Sequence, residues 1–113
     1  MSNLTIVTNQ TGPASLLTLS GRVDSQTAPE LDAALADLTS KGASKIVVDL
    51  SKLEYMSSAG LRALVKAAQA AKSAGGALKL AAVPDAIISV MYTVGLNQVV
   101  DTYADAAKAA ASF

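Results

Sequence analysis

Lys45-Ile46-Val47-Val48-Asp49-Leu50 is followed, ten residues on, by Gly60-Leu61-Arg62-Ala63-Leu64-Val65, and the change of period between them decides the architecture. The first stretch is a short, nearly continuous apolar run rich in β-branched residues. Such a run suits a central strand covered by helices on at least one face. The second opens a series, Leu61, Leu64, Val65, Ala68 and Ala71, with the spacing of one helical face. Gly75-Gly76 closes that helix. Ser51 to Met56 reads as the connection between the two.

Outward from this unit, the same two periods continue. Leu4-Thr5-Ile6-Val7-Thr8 alternates, Asn9-Gln10-Thr11-Gly12-Pro13 carries turn chemistry, and Ser15-Leu16-Leu17-Thr18-Leu19-Ser20 completes a hairpin. Gly21-Arg22-Val23-Asp24 leaves the second strand. Asp24 or Ser25 is the expected cap of a helix with apolar positions Ala28, Leu31, Ala34, Leu35 and Leu38, with Pro29 in its first turn and Gly42 at its end. Ala77 to Ala81 is a further short strand. Pro84 opens a third helix, with Ile87, Val90, Met91 and Val94 on one face and Gly95 at its end. Asn97-Gln98-Val99-Val100 reads as an edge strand or short extension, and Asp101 or Thr102 as the cap of a last, Ala-rich helix from Tyr103 to about Ala111. Helices alternating with strands after a hairpin imply an α/β domain spanning residues 1–113. Its sheet is mixed and mostly parallel, with four or five strands joined by right-handed crossovers and about four helices. No linker or repeat divides the chain.

Composition narrows the function classes. In 113 residues, 51% are apolar and 16% charged, which favours a buried core over disorder. Nine basic and nine acidic residues give zero net charge, and the lysines are scattered, so no nucleic-acid groove is expected. The chain has neither Cys nor His. That removes disulfides, the usual transition-metal ligands, a Ser-His-Asp triad and any His general base. No catalytic residue, metal ligand or cofactor site is expected. Glu54 and Asp49 make no acid/base pair, since no nucleophile accompanies them. No phosphate-cradling glycine loop suggests a nucleotide module. The first residues, Met1-Ser2-Asn3-Leu4-Thr5, lack a signal-peptide pattern, and no apolar run is long enough for membrane insertion, so a cytoplasmic location is expected.

The residues with chemical interest lie at the start of the second helix. Ser57 and Ser58 stand where backbone N–H groups are unpaired and the helix dipole is positive. Serine is a preferred N-cap, so either hydroxyl could simply close those N–H groups. The plain cap is the first reading on these grounds; the alternative is a phosphate on one serine, which would bring about −1.5 to −2 charges to a place suited to an anion.

Tyr55-Met56-Ser57-Ser58-Ala59-Gly60-Leu61-Arg62-Ala63-Leu64 resembles the signature loop of the STAS family, in particular the bacterial anti-sigma factor antagonists. Those carry Asp-Ser-Ser-Gly-Leu or Ser-Ser-Ala-Gly-Leu at the same helix start. Gly21-Arg22-Val23-Asp24 is similar to their Gly-x-Leu/Val-Asp segment, Ile46 to Ser51 to their central strand, and Pro84 with Thr93-Val94-Gly95-Leu96 to their later elements. The resemblance spans the chain in order, and it implies a STAS-type fold. It also implies a non-enzymatic, cytoplasmic, phosphorylation-switched module that binds a kinase-type anti-sigma factor and so releases a sigma factor. A PP2C-type phosphatase would be the second partner, and the module would be a monomer or weak dimer.

By that resemblance the phosphate acceptor is the serine two places before the helical glycine, Ser58. Many members have Asp directly before it, where this chain has Ser57, which makes Ser57 the alternative acceptor. Asp24, Ser57, Ser58, Ala59, Gly60 and Arg62 are the implied partner-binding residues. Asp24 reads equally as a helix cap, and Arg62 reads first as a solvated helix residue, with a contact to the partner or to a phosphate on Ser58 as the alternative. Tyr55 and Met56 read as rim and core packing. The missing Asp also leaves room for a different class, an unphosphorylated STAS scaffold or a subunit of a transporter or signalling assembly.

Overall fold

The computed structural model describes residues 3–113. Met1 and Ser2, part of the N-terminal reading above, lie outside the described residues, as do the side chains of Val94 and Asn97. The hairpin is formed by β1 (Leu4–Thr11) and β2 (Ala14–Val23), then come α1 (Ala28–Ser40), β3 (Lys45–Met56) and α2 (Ser58–Ser73). The chain continues with β4 (Ala77–Ala81), α3 (Asp85–Val94), a 3-10 turn (Leu96–Gln98), β5 (Asp101–Tyr103) and α4 (Ala106–Ala111). The strands form one sheet in the order β1-β2-β3-β4-β5. The β1–β2 pair is antiparallel and every other pair is parallel. Mixed sheet, antiparallel first strand and helix number agree with the sequence pattern.

The apolar run of β3 is buried on both faces because helices cover both. Ile46, Val48 and Leu50 point into the main core with Leu17, Leu19, Leu31, Leu35, Leu61, Leu64, Leu78, Leu80 and Met91. Val47 faces the other side, in a smaller cluster with Ala14, Ala81, Ala109 and Ala110 under α4. Leu61 and Leu64 are fully buried, and each such side chain contributes about 1.5–3 kcal/mol by leaving water. The helical face read from the sequence is thus what fastens α2, and with it the serine pair, to the sheet.

Three expectations are corrected. Ser51 to Met56 is not a loop: β3 runs on to Met56, paired with β2 through Gly21↔Leu53, Arg22↔Tyr55 and Val23↔Met56. Register shifts between Thr18 and Ser20, and between Gly21 and Arg22, break the two-residue period, so the segment does not alternate and does not read as a strand. Asn97 to Val100 is not an edge strand. Gly95, left-handed at φ 77°, ends α3, and the chain tightens into the 3-10 turn, where the Val99 N–H donates to the Leu96 carbonyl. The edge strand is Asp101–Tyr103 instead. The last helix accordingly starts at Ala106 rather than Tyr103, capped by Asp105, whose Oδ1 accepts the Lys108 N–H at 2.8 Å.

Candidate functional site

The C-terminal ends of β2 and β3 and the first turn of α2 meet at one rim of the sheet. The Ser57 N–H donates to the Val23 carbonyl at 2.7 Å, which ties the end of β2 to the start of α2. Ser57 is extended (φ −79°, ψ 165°), and its Oγ accepts the Gly60 N–H at 3.2 Å. That is an N-cap in geometry and chemistry. Of the two serines, the one that closes the helix N–H groups is therefore Ser57.

Ser58 is the first residue of α2 and is exposed, and among the described residues no hydrogen bond engages its hydroxyl. Its neighbours are held tightly. Gly60 is buried, and a Cβ there would run into Met56 Sδ and Val23 Cγ1. Only glycine lets the first turn of α2 lie this close to the sheet. The exposed hydroxyl is thus carried on a stiff, well-anchored turn.

Asp24 holds the turn that precedes α1. Its Oδ1 accepts the N–H groups of Gln26 (2.9 Å) and Thr27 (3.0 Å), and the Ala28 N–H donates to its carbonyl at 2.8 Å. Thr27 Oγ1 accepts the Asp24 N–H and donates to the Arg22 carbonyl, both at 2.9 Å. These bonds close the turn ahead of α1. The helix itself starts at Ala28, after Thr27, and neither Asp24 nor Ser25 is its formal N-cap. The Thr27 N–H above all, helped by the Gln26 N–H, the Thr27 hydroxyl and the Arg22 charge, holds the Asp24 carboxyl below its ordinary value.

The remaining implied residues fall in two places. Ala59 and Arg62 line an open groove of about 370 Å³ between α1 and α2, with Ser25, Ala28, Asp32 and Lys66. Its floor is alanine and its walls are charged: Lys66 Nζ lies 3.4 Å from Asp32 Oδ1. Ser57 and Gly60 build the helix start instead, so one loop supplies both scaffold and surface.

Two residues at this rim carry more than the sequence reading gave them. Arg22 and Tyr55 are cross-strand partners, and the guanidinium stacks 4.7 Å from the centre of the Tyr55 ring. Tyr55 is 43% exposed, so part of its ring lies on the surface of this rim. Only the pairing of β2 with the unrecognised half of β3 brings them together, so no local pattern could reveal it. Among the described residues no group of three acidic, His or Cys side chains could hold a metal ion, and no helix is long and apolar enough to cross a membrane.

Residues 6–101 match the family model described as "Mlab, STAS domain". The chain belongs to the STAS domain family. BtrV of Bordetella bronchiseptica, assigned to the anti-sigma factor antagonists, is 42% identical over 62 residues, which is 55% of this chain and 53% of BtrV. The match thus spans about half the length of that relative. An anti-sigma factor antagonist from Mycobacterium paratuberculosis has the same fold, with a TM-score of 0.87 at 24% identity over 96% of this chain and 92% of its own. SpoIIAA, the Bacillus cell fate determinant, in its phosphorylated form superposes with a TM-score of 0.74 at 18% identity, over 93% and 96% of the two chains.

Proposed function

We propose that this STAS domain is an anti-sigma factor antagonist whose binding is switched at Ser58. The observation that carries the reading is the division of labour between the two serines. Ser57 is consumed by the helix cap at 3.2 Å from the Gly60 amide, while the Ser58 hydroxyl is exposed on a turn anchored by Val23, Met56 and Gly60. The relationship to BtrV supports the same class of partner, and SpoIIAA shares the fold and exists in a phosphorylated form.

In the unmodified state the rim around Ser58, with Ala59, Gly60, Arg62 and Asp24, binds an anti-sigma factor and thereby frees a sigma factor. That anti-sigma factor is also the kinase: the γ-phosphoryl of ATP passes to Ser58 Oγ, ADP leaves, and the hydroxyl proton is released. The phosphate then sits inside the contact surface. Desolvating or repelling about two negative charges at a packed interface costs several kcal/mol, enough to lower affinity by orders of magnitude. A PP2C-type phosphatase restores the binding form. The domain acts as a regulatory binding module, without chemistry of its own.

The test is incubation of the full chain with the kinase-type anti-sigma factor of its own host and ATP, followed by mass spectrometry. A single phosphate on Ser58, abolished in Ser58→Ala and accompanied by loss of binding, is the expected result. An unmodified chain, or a phosphate on Ser57, would sink the assignment.

A further inference from the structure

We infer that Arg62 is the internal counter-charge of a phosphate on Ser58, clasping it one helical turn along α2. The inference rests on the proposed modification of Ser58 and concerns what the phosphate does once there. Ser58 and Arg62 are four residues apart in one helix, hence neighbours on its surface, with the acidic group on the N-terminal side, the favourable order. Both are exposed.

The surroundings leave Arg62 uncommitted. Lys66 faces Asp32 and Lys41 pairs with Asp37, whereas Arg62 has no ion-pair partner among the described residues. The first turn of α2 contains no acidic residue to compete for the guanidinium. The Gly60 N–H, which would otherwise turn toward an anion at the helix start, is occupied by the Ser57 hydroxyl. The N–H groups of Ser58 and Ala59 remain open at the helix start, and one turn along α2 the planar Arg62 guanidinium can meet phosphate oxygens in pairs.

The clasp changes what the rim presents. In the unmodified chain Arg62 lines the groove between α1 and α2. Drawn back toward Ser58, its guanidinium is withdrawn from that groove, so modification would both add negative charge and remove a positive one from the surface.

The experiment is a phosphorus NMR pH titration of the full chain with phosphoserine incorporated genetically at position 58. The second phosphate ionisation ordinarily falls near pH 6. The clasp lowers it by about 0.3–0.5 unit, a two- to threefold change in the acid constant, because a neighbouring cation favours the dianion. Arg62→Gln returns the value to about 6, Arg62→Lys keeps part of the shift, and the shift shrinks as salt is added. Lys66→Gln, removing an equal charge one turn further on, leaves the titration as in the parent. An unchanged titration in Arg62→Gln overturns the clasp, as does an equal effect of Lys66→Gln, which would make the shift one of net charge. Because the phosphoserine is built in rather than transferred, the result does not depend on any kinase. Failure of kinase labelling would sink the switch and leave this measurement intact.

Discussion

Ser57 Oγ lies 3.2 Å from the Gly60 amide, and this bond makes two adjacent serines unequal. The first is part of the scaffold and the second is surface. Losing an N-cap hydroxyl costs about 0.5–2 kcal/mol. Ser57→Ala is therefore expected to lower stability by about 1 kcal/mol, a fall of roughly 4–8 °C in Tm for a domain of this size. Ser58→Ala removes a hydroxyl with no hydrogen-bond partner and stays within about 0.5 kcal/mol of the parent. Parallel thermal and urea melts check the pair. Equal losses in both variants would contradict the assignment of the cap to Ser57.

Gly60 packs where Met56 and Val23 leave no room for a methyl group. Alanine is the better helix former by about 1 kcal/mol, which opposes the steric effect. Overpacking a tight site costs about 1–3 kcal/mol, and here both obstructing side chains are buried. Gly60→Ala is thus expected to be net destabilising by about 1 kcal/mol, where most exposed helical glycines would gain. Urea unfolding gives the sign directly, and amide shifts of Ser58 and Ala59 report whether the first turn has moved.

The Asp24 carboxyl titrates below its ordinary value of 3.8 because the Thr27 and Gln26 N–H groups prefer the ionised oxygen. With the folded value lower than the unfolded one, the unfolded chain binds more protons in between. This contribution is therefore fully present above pH 3.8 and is lost as pH falls toward the folded value. Asp24→Asn lacks that pH-dependent part. The stability difference between parent and variant should be constant above about pH 5 and shrink in more acid solution. Urea melts from pH 2.5 to 6 test this, and a difference that grows on acidification would overturn it.

How much of this was legible beforehand depends on where regular periods hold. The helical faces carrying Leu31 and Leu35, or Leu61 and Leu64, were readable because one buried stripe repeats along each helix. The Ser57-Ser58-Ala59-Gly60 start was readable because cap residues and glycine stand at a change of period. What escaped was long-range. The second half of β3 pairs with β2 across register shifts, so its residues follow no simple alternation, and the Arg22–Tyr55 stack depends on that pairing. At the end of the chain the strand and helix lie a few residues from where the local pattern sets them, for a related reason. Asp101, Thr102 and Asp105 are all plausible caps in isolation, and only the pairing of Asp101–Tyr103 with Lys79–Ala81 selects Asp105. Which serine would cap the helix was likewise a matter of backbone geometry, since the two differ by one position and not in chemistry.

Lys79 illustrates a residue whose role no sequence pattern announces. It is a strand residue of β4 that is only 8% exposed, on the face covered by α4. Its ammonium donates to Ser112 Oγ at 2.6 Å and sits 4.2 Å from the centre of the Phe113 ring and 5.4 Å from that of Tyr103. A buried cation in this setting is compensated by one hydroxyl and two ring faces, and each contact lies on or beside the short helix α4. The six residues of α4 are too few to be helical alone, so they depend on this anchor and on Ala109 and Ala110. Lys79→Ala removes the apolar stem and the charge together, and a loss of about 1–3 kcal/mol is expected. Lys79→Met keeps a flexible apolar stem of similar length and loses only the cation contacts, so its effect is smaller. Hydrogen exchange separates local from global loosening. In both variants the amides of residues 108–112 should exchange faster, while those of β3 and α2 keep their protection. Unchanged exchange in α4 would mean that alanine packing alone holds the helix on the sheet.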